Sequence, residues 1–298
     1  MKIGYFADGP WSHRAFDEIN ADDNFEIKFI CVRNDSSDEV LAKVCTENDI
    51  PHLKHPNVNS EEFISKIIKY DCDILVSMSF NQIFRTEIIN LAPMKLINCH
   101  AGKLPFYRGR NILNWALIND EKEYGVTVHY VDEGIDTGDI ILQNTYPITD
   151  EDNYSTLLER AYVDCANTLY NSLVKIRENN ATRTVQTTIH PVGMYCGQRK
   201  VGDELLNWNQ SSRDIFNFVR AICRPGPMAT CFAERGFEVK VNKVKEIQDA
   251  PVYKGVCGQV IGKTGNGVIV KTNDSFVEVC EYESEKKLRV GDRLKWRK

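Results

Sequence analysis

No stretch of this 298-residue chain approaches 18 consecutive apolar residues, and the opening MKIGYFADGPW puts one Lys before a five-residue apolar run. A membrane span and a secretory leader are therefore not expected. The ten cysteines, at 31, 45, 72, 99, 165, 196, 223, 231, 257 and 280, form no C-x-x-C pair and no regular disulfide framework. Most lie inside apolar runs, so reduced, buried thiols of a cytoplasmic protein are expected. Gly (18) and Pro (10) are sparse, and with 42% hydrophobic and 27% charged residues they exclude collagen-like and disordered classes. The mean hydropathy of -0.37 agrees. Charge of neither sign dominates: 37 Lys/Arg face 42 Asp/Glu, net -5, which offers no general attraction to nucleic acid or anionic lipid. The last 13 residues, KKLRVGDRLKWRK, hold seven basic residues against one Asp, so the preceding 285 carry -11. That tail is read as a solvated final strand rather than an anion contact.

What is present is an alternation of strand-like and helix-like segments. Lys2–Ala7, Phe25–Val32, Asp73–Met78, Lys95–Cys99 and Gly125–Val131 read as strands, the third with no polar alternation, as in a strand covered on both faces. Between them fall helical stretches, and Asn153–Asn179 reads as one long helix. This predicts an α/β fold, a mostly parallel Rossmann-like sheet with helices on both faces. From Phe232 onward, short strands broken by Gly and Pro predict a small C-terminal β-barrel-like domain. The expected domains are 1–204 and 205–298.

The chemistry concentrates in LINCHAGKLPFYRGRN (Leu96–Asn111) and GVTVHYVDEGIDTGDII (Gly125–Ile141). Asn98 and His100 alternate along one strand and so share a face, at the carboxyl end where parallel sheets place ligands. A second strand ends in an acidic, Gly-punctuated run, Asp132 to Asp139, and a strand-end carboxylate beside a strand-end His suits an oriented general base. No recurring ligand spacing points to a metal.

The joint pattern N-x-H, L-P-x-Y-R-G, D-x-G-x-D-T-G resembles the formyltransferases that use N10-formyltetrahydrofolate, and the later LNWNQSSRDIFNFVRAICRPGP is similar to the start of their second region. The resemblance implies a formyl-transferring enzyme with folate and catalysis in the first domain and a catalytic triad at Asn98, His100 and Asp136. Asn98 would donate to the oxyanion, His100 would take the amine's proton, and Asp136 would fix the imidazole tautomer and stabilise imidazolium. It also places folate against Ser79, Phe80, Asn81, Gln82 and Ile83 on one side and Asp132, Gly134 and Ile135 on the other. YCGQRKVGDELLNWN resembles enzymes acting on nucleotide-linked amino sugars, so the expected acceptor is a UDP- or dTDP-linked amino deoxysugar of surface-polysaccharide (lipopolysaccharide) biosynthesis. Trp11, Lys103, Tyr107, Arg108, Arg199, Lys200 and Arg220 are the candidate contacts for it, the paired cations suiting a diphosphate. Methionyl-tRNA as acceptor is the alternative, disfavoured here by net charge. A non-catalytic folate- or nucleotide-sugar-binding protein is the reading from another class. No nucleic-acid or membrane partner is expected, and a homodimer is left open.

Overall fold

A computed structural model describes residues 1–265 and 267–296. Apolar, β-branched runs form strands β1 (Lys2–Ala7), β2 (Glu26–Val32), β3 (His52–Lys54), β4 (Ile74–Met78) and β5 (Leu96–His100). They are followed by β6 (Arg108–Gly109), β7 (Glu123–Tyr130), β8 (Ile140–Pro147) and β9 (Tyr195–Cys196). Seven of these make one sheet in the order β3-β2-β1-β4-β5-β7-β8, parallel from β3 to β5, with β7 antiparallel to β5. All five residues of β4 are buried, as its unbroken apolar run requires. The short β6 and β9 pair with each other.

Helices α1 (Pro10–Asn20), α2 (Glu39–Glu47), α3 (Glu61–Ile67) and α4 (Thr86–Ile89) connect the first five strands. Asp38 and Ser60 cap α2 and α3 by accepting from the Leu41 and Phe63 amides. Then come α5 (Ile112–Ile118), α6 (Tyr154–Arg177), α7 (Gln186–Ile189) and α8 (Ser212–Ile222). Among the described residues no helix is long and apolar enough to cross a membrane. The ten cysteines are free thiols; six are buried, but Cys72, Cys196, Cys257 and Cys280 are partly exposed, which corrects the expectation that they lie inside.

Packing divides the chain into two units interleaved in sequence: 1–109, 124–146 and 159–196 form one, and 110–123, 147–158 and 197–298 the other. This differs from a single cut at 204/205. The reason lies in the second unit, where Asn114 Nδ2 of α5 donates to Ala221 O of α8 at 2.6 Å, and Arg213 Nη2 reaches Asp120 and Asp150, each at 2.6 Å. Helix and loop segments from mid-chain are thereby built into the later unit.

That unit holds β10 (Ala229–Ala233), β11 (Phe237–Glu246), β12 (Val260–Lys263), β13 (Val268–Lys271), β14 (Phe276–Ser284) and β15 (Leu294–Lys295). Their order is β12-β13-β14-β11-β10-β15, with antiparallel neighbours. Leu294 N donates to Gly258 O and Val260 N to Asp292 O, both at 2.8 Å, tying one edge of the sheet to the other. The result is the expected barrel-like form, which leaves few free strand edges.

The hydrogen bond from Arg213, ahead of the contact with Lys122, holds the Asp120 carboxyl down at about 2. A lowered carboxylate stabilises the fold above its unfolded value near 4, and that contribution disappears as pH falls toward 2. Arg213→Met is therefore expected to lower the urea midpoint at pH 7 and to lose most of that deficit relative to wild type near pH 2. A deficit independent of pH would assign Arg213 to packing alone.

Candidate active site

Asn98 and His100 lie on the carboxyl-terminal half of β5, where register sets Asn98 opposite His129 and His100 opposite Thr127 of β7. The His100 ring is nearly buried, with Nε2 2.7 Å from the Tyr107 carbonyl oxygen. A carbonyl only accepts, so Nε2 carries the proton and Nδ1 is the basic nitrogen. Nδ1 lies 3.8 Å from Asp136 Oδ2. The tautomer is thus fixed by Tyr107, which corrects the expectation that Asp136 would fix it; Asp136 is placed to stabilise the imidazolium.

Asp136 sits between two imidazoles. His129 Nε2 is 3.6 Å from Asp136 Oδ1, and the Gly109 amide donates to Asp136 Oδ2 at 2.9 Å. Burial pushes this carboxyl up, but the neighbouring His100 and His129 rings and the Gly109 amide outweigh it and hold the group well below the usual carboxylate range. Asp136 is an anion at any working pH, on a backbone with φ of 55°, a left-handed conformation that Asp tolerates better than most residues.

His129 escapes the sequence reading. It is 2% exposed, its Nδ1 donates to the Tyr130 carbonyl at 2.8 Å, and its Nε2 lies 3.3 Å from Asn98 Nδ2. Nε2 thus stands between the Asn98 amide and the Asp136 carboxylate and fixes where both sit. The signal was the alternation of Thr127 and His129 on one strand face, opposite His100 and Asn98. His129→Ala is expected to lower kcat by about ten- to a hundredfold through misplacement of Asn98, with folate affinity retained. Steady-state kinetics beside a folate titration check this, and an unchanged kcat would remove His129 from the site.

The loop after β5 is held by buried polar groups. Thr127 Oγ1 donates to Gly102 O at 2.6 Å, and Gln143 Nε2 donates to Leu104 O at 2.8 Å. Gln186, 2% exposed, is a second residue that the sequence reading misses, here with no signal at all, fifty positions from the loop it braces. Its Nε2 donates to the carbonyls of Asp136 and Gly138, and its Oε1 accepts from Arg108 Nη2 at 2.6 Å.

Arg108, expected to contact substrate, is itself buried and turned inward, with Nη1 also on the Tyr195 hydroxyl. Tyr107 is buried, and its contribution is its carbonyl. Lys103 runs against Gly125, where an added Cβ would lie 2.7 Å from its Cα. Trp11 packs edge-on to Tyr162 with ring centroids 4.7 Å apart.

Arg199, Lys200 and Arg220 belong to the second unit, where two of the three guanidinium or ammonium groups are already engaged. Arg199 lies over the Trp115 and Phe218 rings and donates to Asp203 O at 2.5 Å. Arg220, 6% exposed, donates to Asn217 Oδ1 and Thr149 O. Neither is offered to a diphosphate: Arg220 is buried among internal carbonyl partners, and half-buried Arg199 is held by the two rings and the Asp203 carbonyl. Lys200 is exposed.

The segment Ser79 to Ile83 leads to α4, whose Thr86 hydroxyl donates to the Glu133 carboxylate in the segment Asp132 to Ile135. Phe80 stacks on Phe84 and packs edge-on to Phe6, so it supports the first loop from beneath. Gln82 is tied to His55 O and Val58 N. Asp132 Oδ1 accepts from the Gly134 amide and Thr137. Ile83 and Ile135 stand 67% and 53% exposed, and Asn81 Oδ1 is buried with no partner although its Nδ2 reaches Asp35. Two exposed aliphatic chains and an unmet acceptor fit a flat heterocycle with hydrogen-bonding edges. Among the described residues no group of three or more His, Cys, Asp or Glu is placed to hold a metal.

A doubly wound sheet with Asn, His and Asp converging at its carboxyl end, followed by a β-barrel-like unit, defines the class of enzymes that move formyl groups. The formyl transferase family model matches residues 29–172, and the formyl transferase C-terminal domain model matches 199–295. The chain belongs to this family and is a formyl-transferring enzyme. It is 33% identical to a methionyl-tRNA formyltransferase of Thermodesulfovibrio yellowstonii, over 83% of this chain and 77% of that one. With the methionyl-tRNA formyltransferase of Clostridioides difficile it shares 31% over 92% and 90%. Among solved structures, WlaRD, a sugar 3N-formyl transferase with dTDP and 5-N-formyl-THF, superposes with TM-score 0.69 at 21% identity, covering 97% of this chain and 99% of that one. An N-formyltransferase of Helicobacter canadensis with folinic acid and dTDP-3-aminofucose gives 0.70 at 18%, covering 95% and 99%. The family is formyltetrahydrofolate-dependent.

These comparisons overturn the nucleotide-sugar reading. Proteins that formylate sugars are structural neighbours near 20% identity, a likeness of fold, whereas curated relatives above 30% are methionyl-tRNA formyltransferases. The charge argument failed because it summed over the whole chain. Residues 197–298 hold 19 Lys/Arg against 13 Asp/Glu, net +6, and residues 1–196 carry -11. Recognition of a polyanion depends on local charge.

Proposed function

We propose that the protein transfers the formyl group of N10-formyltetrahydrofolate to the amino group of methionyl-tRNA, in the cytoplasm. What supports this reading is the identity above 30% with methionyl-tRNA formyltransferases over most of the chain, joined by the net +6 of residues 197–298. The folate supplies an electrophilic formyl carbon; Ile83, Ile135 and the Asn81 acceptor would hold it. His100 Nδ1 accepts the proton the amine loses and gives it to N10 of the tetrahydrofolate as the bond from the formyl carbon to N10 breaks, and Asp136, already ionised, stabilises the imidazolium in between. The Asn98 amide donates to the oxygen on which negative charge develops, a contact worth about 3–4 kcal/mol in comparable sites.

The test is incubation with N10-formyltetrahydrofolate and methionyl initiator tRNA. Formylmethionyl-tRNA is expected, with acceptor binding weakening steeply as salt rises, because each phosphate contact releases about one counterion. Formylation of free amines with no turnover of methionyl-tRNA would overturn the proposal.

A further inference from the structure

Two thiols meet behind the catalytic strand, and the formyl-transfer chemistry uses neither. Side chains alternate along β5, so Cys99, between Asn98 and His100, points to the opposite face from those two. There it meets α6: Cys99 Sγ donates to the Cys165 carbonyl at 3.5 Å, and the Cys165 thiol is hydrogen-bonded to the Cys99 side chain in turn. Both residues belong to the first unit, and both are free thiols. Cys99 is 8% exposed and Cys165 1%, so the pair is closed to bulky reagents and opens, if narrowly, on the Cys99 side. The hydrogen bond with Cys99, ahead of burial, holds the Cys165 thiol well above its ordinary range. Thiolate is therefore scarce near neutral pH, and the pair yields to sustained exposure rather than to a brief pulse of oxidant.

We propose that Cys99 and Cys165 form an oxidative modification site, at which hydrogen peroxide converts the pair to a disulfide that ties the catalytic strand to α6 and slows formyl transfer reversibly. The Cys99 sulfur takes an oxygen from the peroxide, becoming a sulfenic acid and releasing one water. The Cys165 sulfur then attacks it: the S–S bond forms as the S–O bond breaks, and the hydroxide leaves with the Cys165 proton as a second water. Two thiols have lost two electrons, and one peroxide has become two waters. Burial selects this product, because a disulfide is neutral whereas a sulfinate would be an unpaired anion in the core. The bond draws the two sulfurs to about 2 Å, far closer than a hydrogen bond holds them. Cys99 cannot make that move without Asn98 and His100, its neighbours on a five-residue strand. The inference rests on formyl transfer and not on which amine receives the group.

The test exposes the full chain to excess hydrogen peroxide, then blocks free thiols and maps disulfides by mass spectrometry of unreduced peptides, with formyl transfer measured on the same samples. A Cys99–Cys165 crosslink is expected, its yield rising in step with a loss of activity of at least about tenfold, as for other displacements near 1 Å in a catalytic site. Dithiothreitol should restore both by thiol–disulfide exchange. Cys165→Ala and Cys99→Ala, each scored against its own untreated rate, should keep most of their activity under the same treatment, which separates this pair from the partly exposed Cys72, Cys196, Cys257 and Cys280. Failure of the wild type to form the crosslink, a crosslinked enzyme that works at the untreated rate, or Cys165→Ala losing activity as fast as wild type would each overturn the proposal. The crosslink is read without any acceptor, so its absence counts against the thiol pair alone, while failure of the untreated enzyme to formylate methionyl-tRNA counts against the function alone.

Discussion

Replacing His100 by asparagine is expected to reduce formyl transfer at least about a hundredfold, with folate binding largely retained. The reason is positional. In the wild type the Tyr107 carbonyl holds the proton on Nε2 and leaves Nδ1 as the base, 3.8 Å from an aspartate kept ionised by its surroundings. Asparagine can fill part of that space, but its amide accepts no proton near neutral pH. Asp136→Ala is expected to act with similar force, because an imidazolium formed at Nδ1 would then face a buried site without its counter-charge. Single-turnover kinetics separate transfer from binding, and near wild-type rates in either variant would show that the base lies elsewhere.

The second large effect is expected at Gly102, which touches no reacting atom. A Cβ added there would sit 2.4 Å from the Tyr107 carbonyl oxygen and 2.5 Å from His100 Nε2, the two ends of the hydrogen bond that sets the tautomer. Neither can stay in place. Gly102→Ala should therefore lower kcat about a hundredfold, as for other displacements near 1 Å, with little change in folate affinity. Since Thr127 also anchors the Gly102 carbonyl, a thermal melt must accompany the kinetics. A variant as stable and as fast as wild type would break the link between Tyr107 and the basicity of Nδ1.

Which parts of this site could be read from residues alone follows from chain distance. β4 announces itself because burial on both faces favours an apolar run, and Asn98 and His100 share a face of β5 because strands alternate. β8 does not: IILQNTYP mixes apolar and polar side chains without a regular period. His129 needed the pairing register of β7 with β5, which spacing does not encode. Gln186 and the inward turn of Arg108 depend on a contact between positions 78 residues apart, and an exposed or buried guanidinium looks the same in sequence. Summed charge misled for a related reason, since it averages over two units with opposite balance.

The bracing by Gln186 and β9 has a consequence for the order in which the chain is made. All seven strands of the main sheet are complete by Pro147, yet the loop carrying Asp136 and the turn at Gly109 are secured by residues near 186 and 196. On the ribosome, a nascent chain that already displays the sheet would still lack an ordered catalytic aspartate. At about 5–20 residues per second, synthesis adds the missing fifty residues within roughly ten seconds. A fragment stopped before α7 should show the sheet by circular dichroism and remain inert, so activity switches on late in translation, when the last brace emerges.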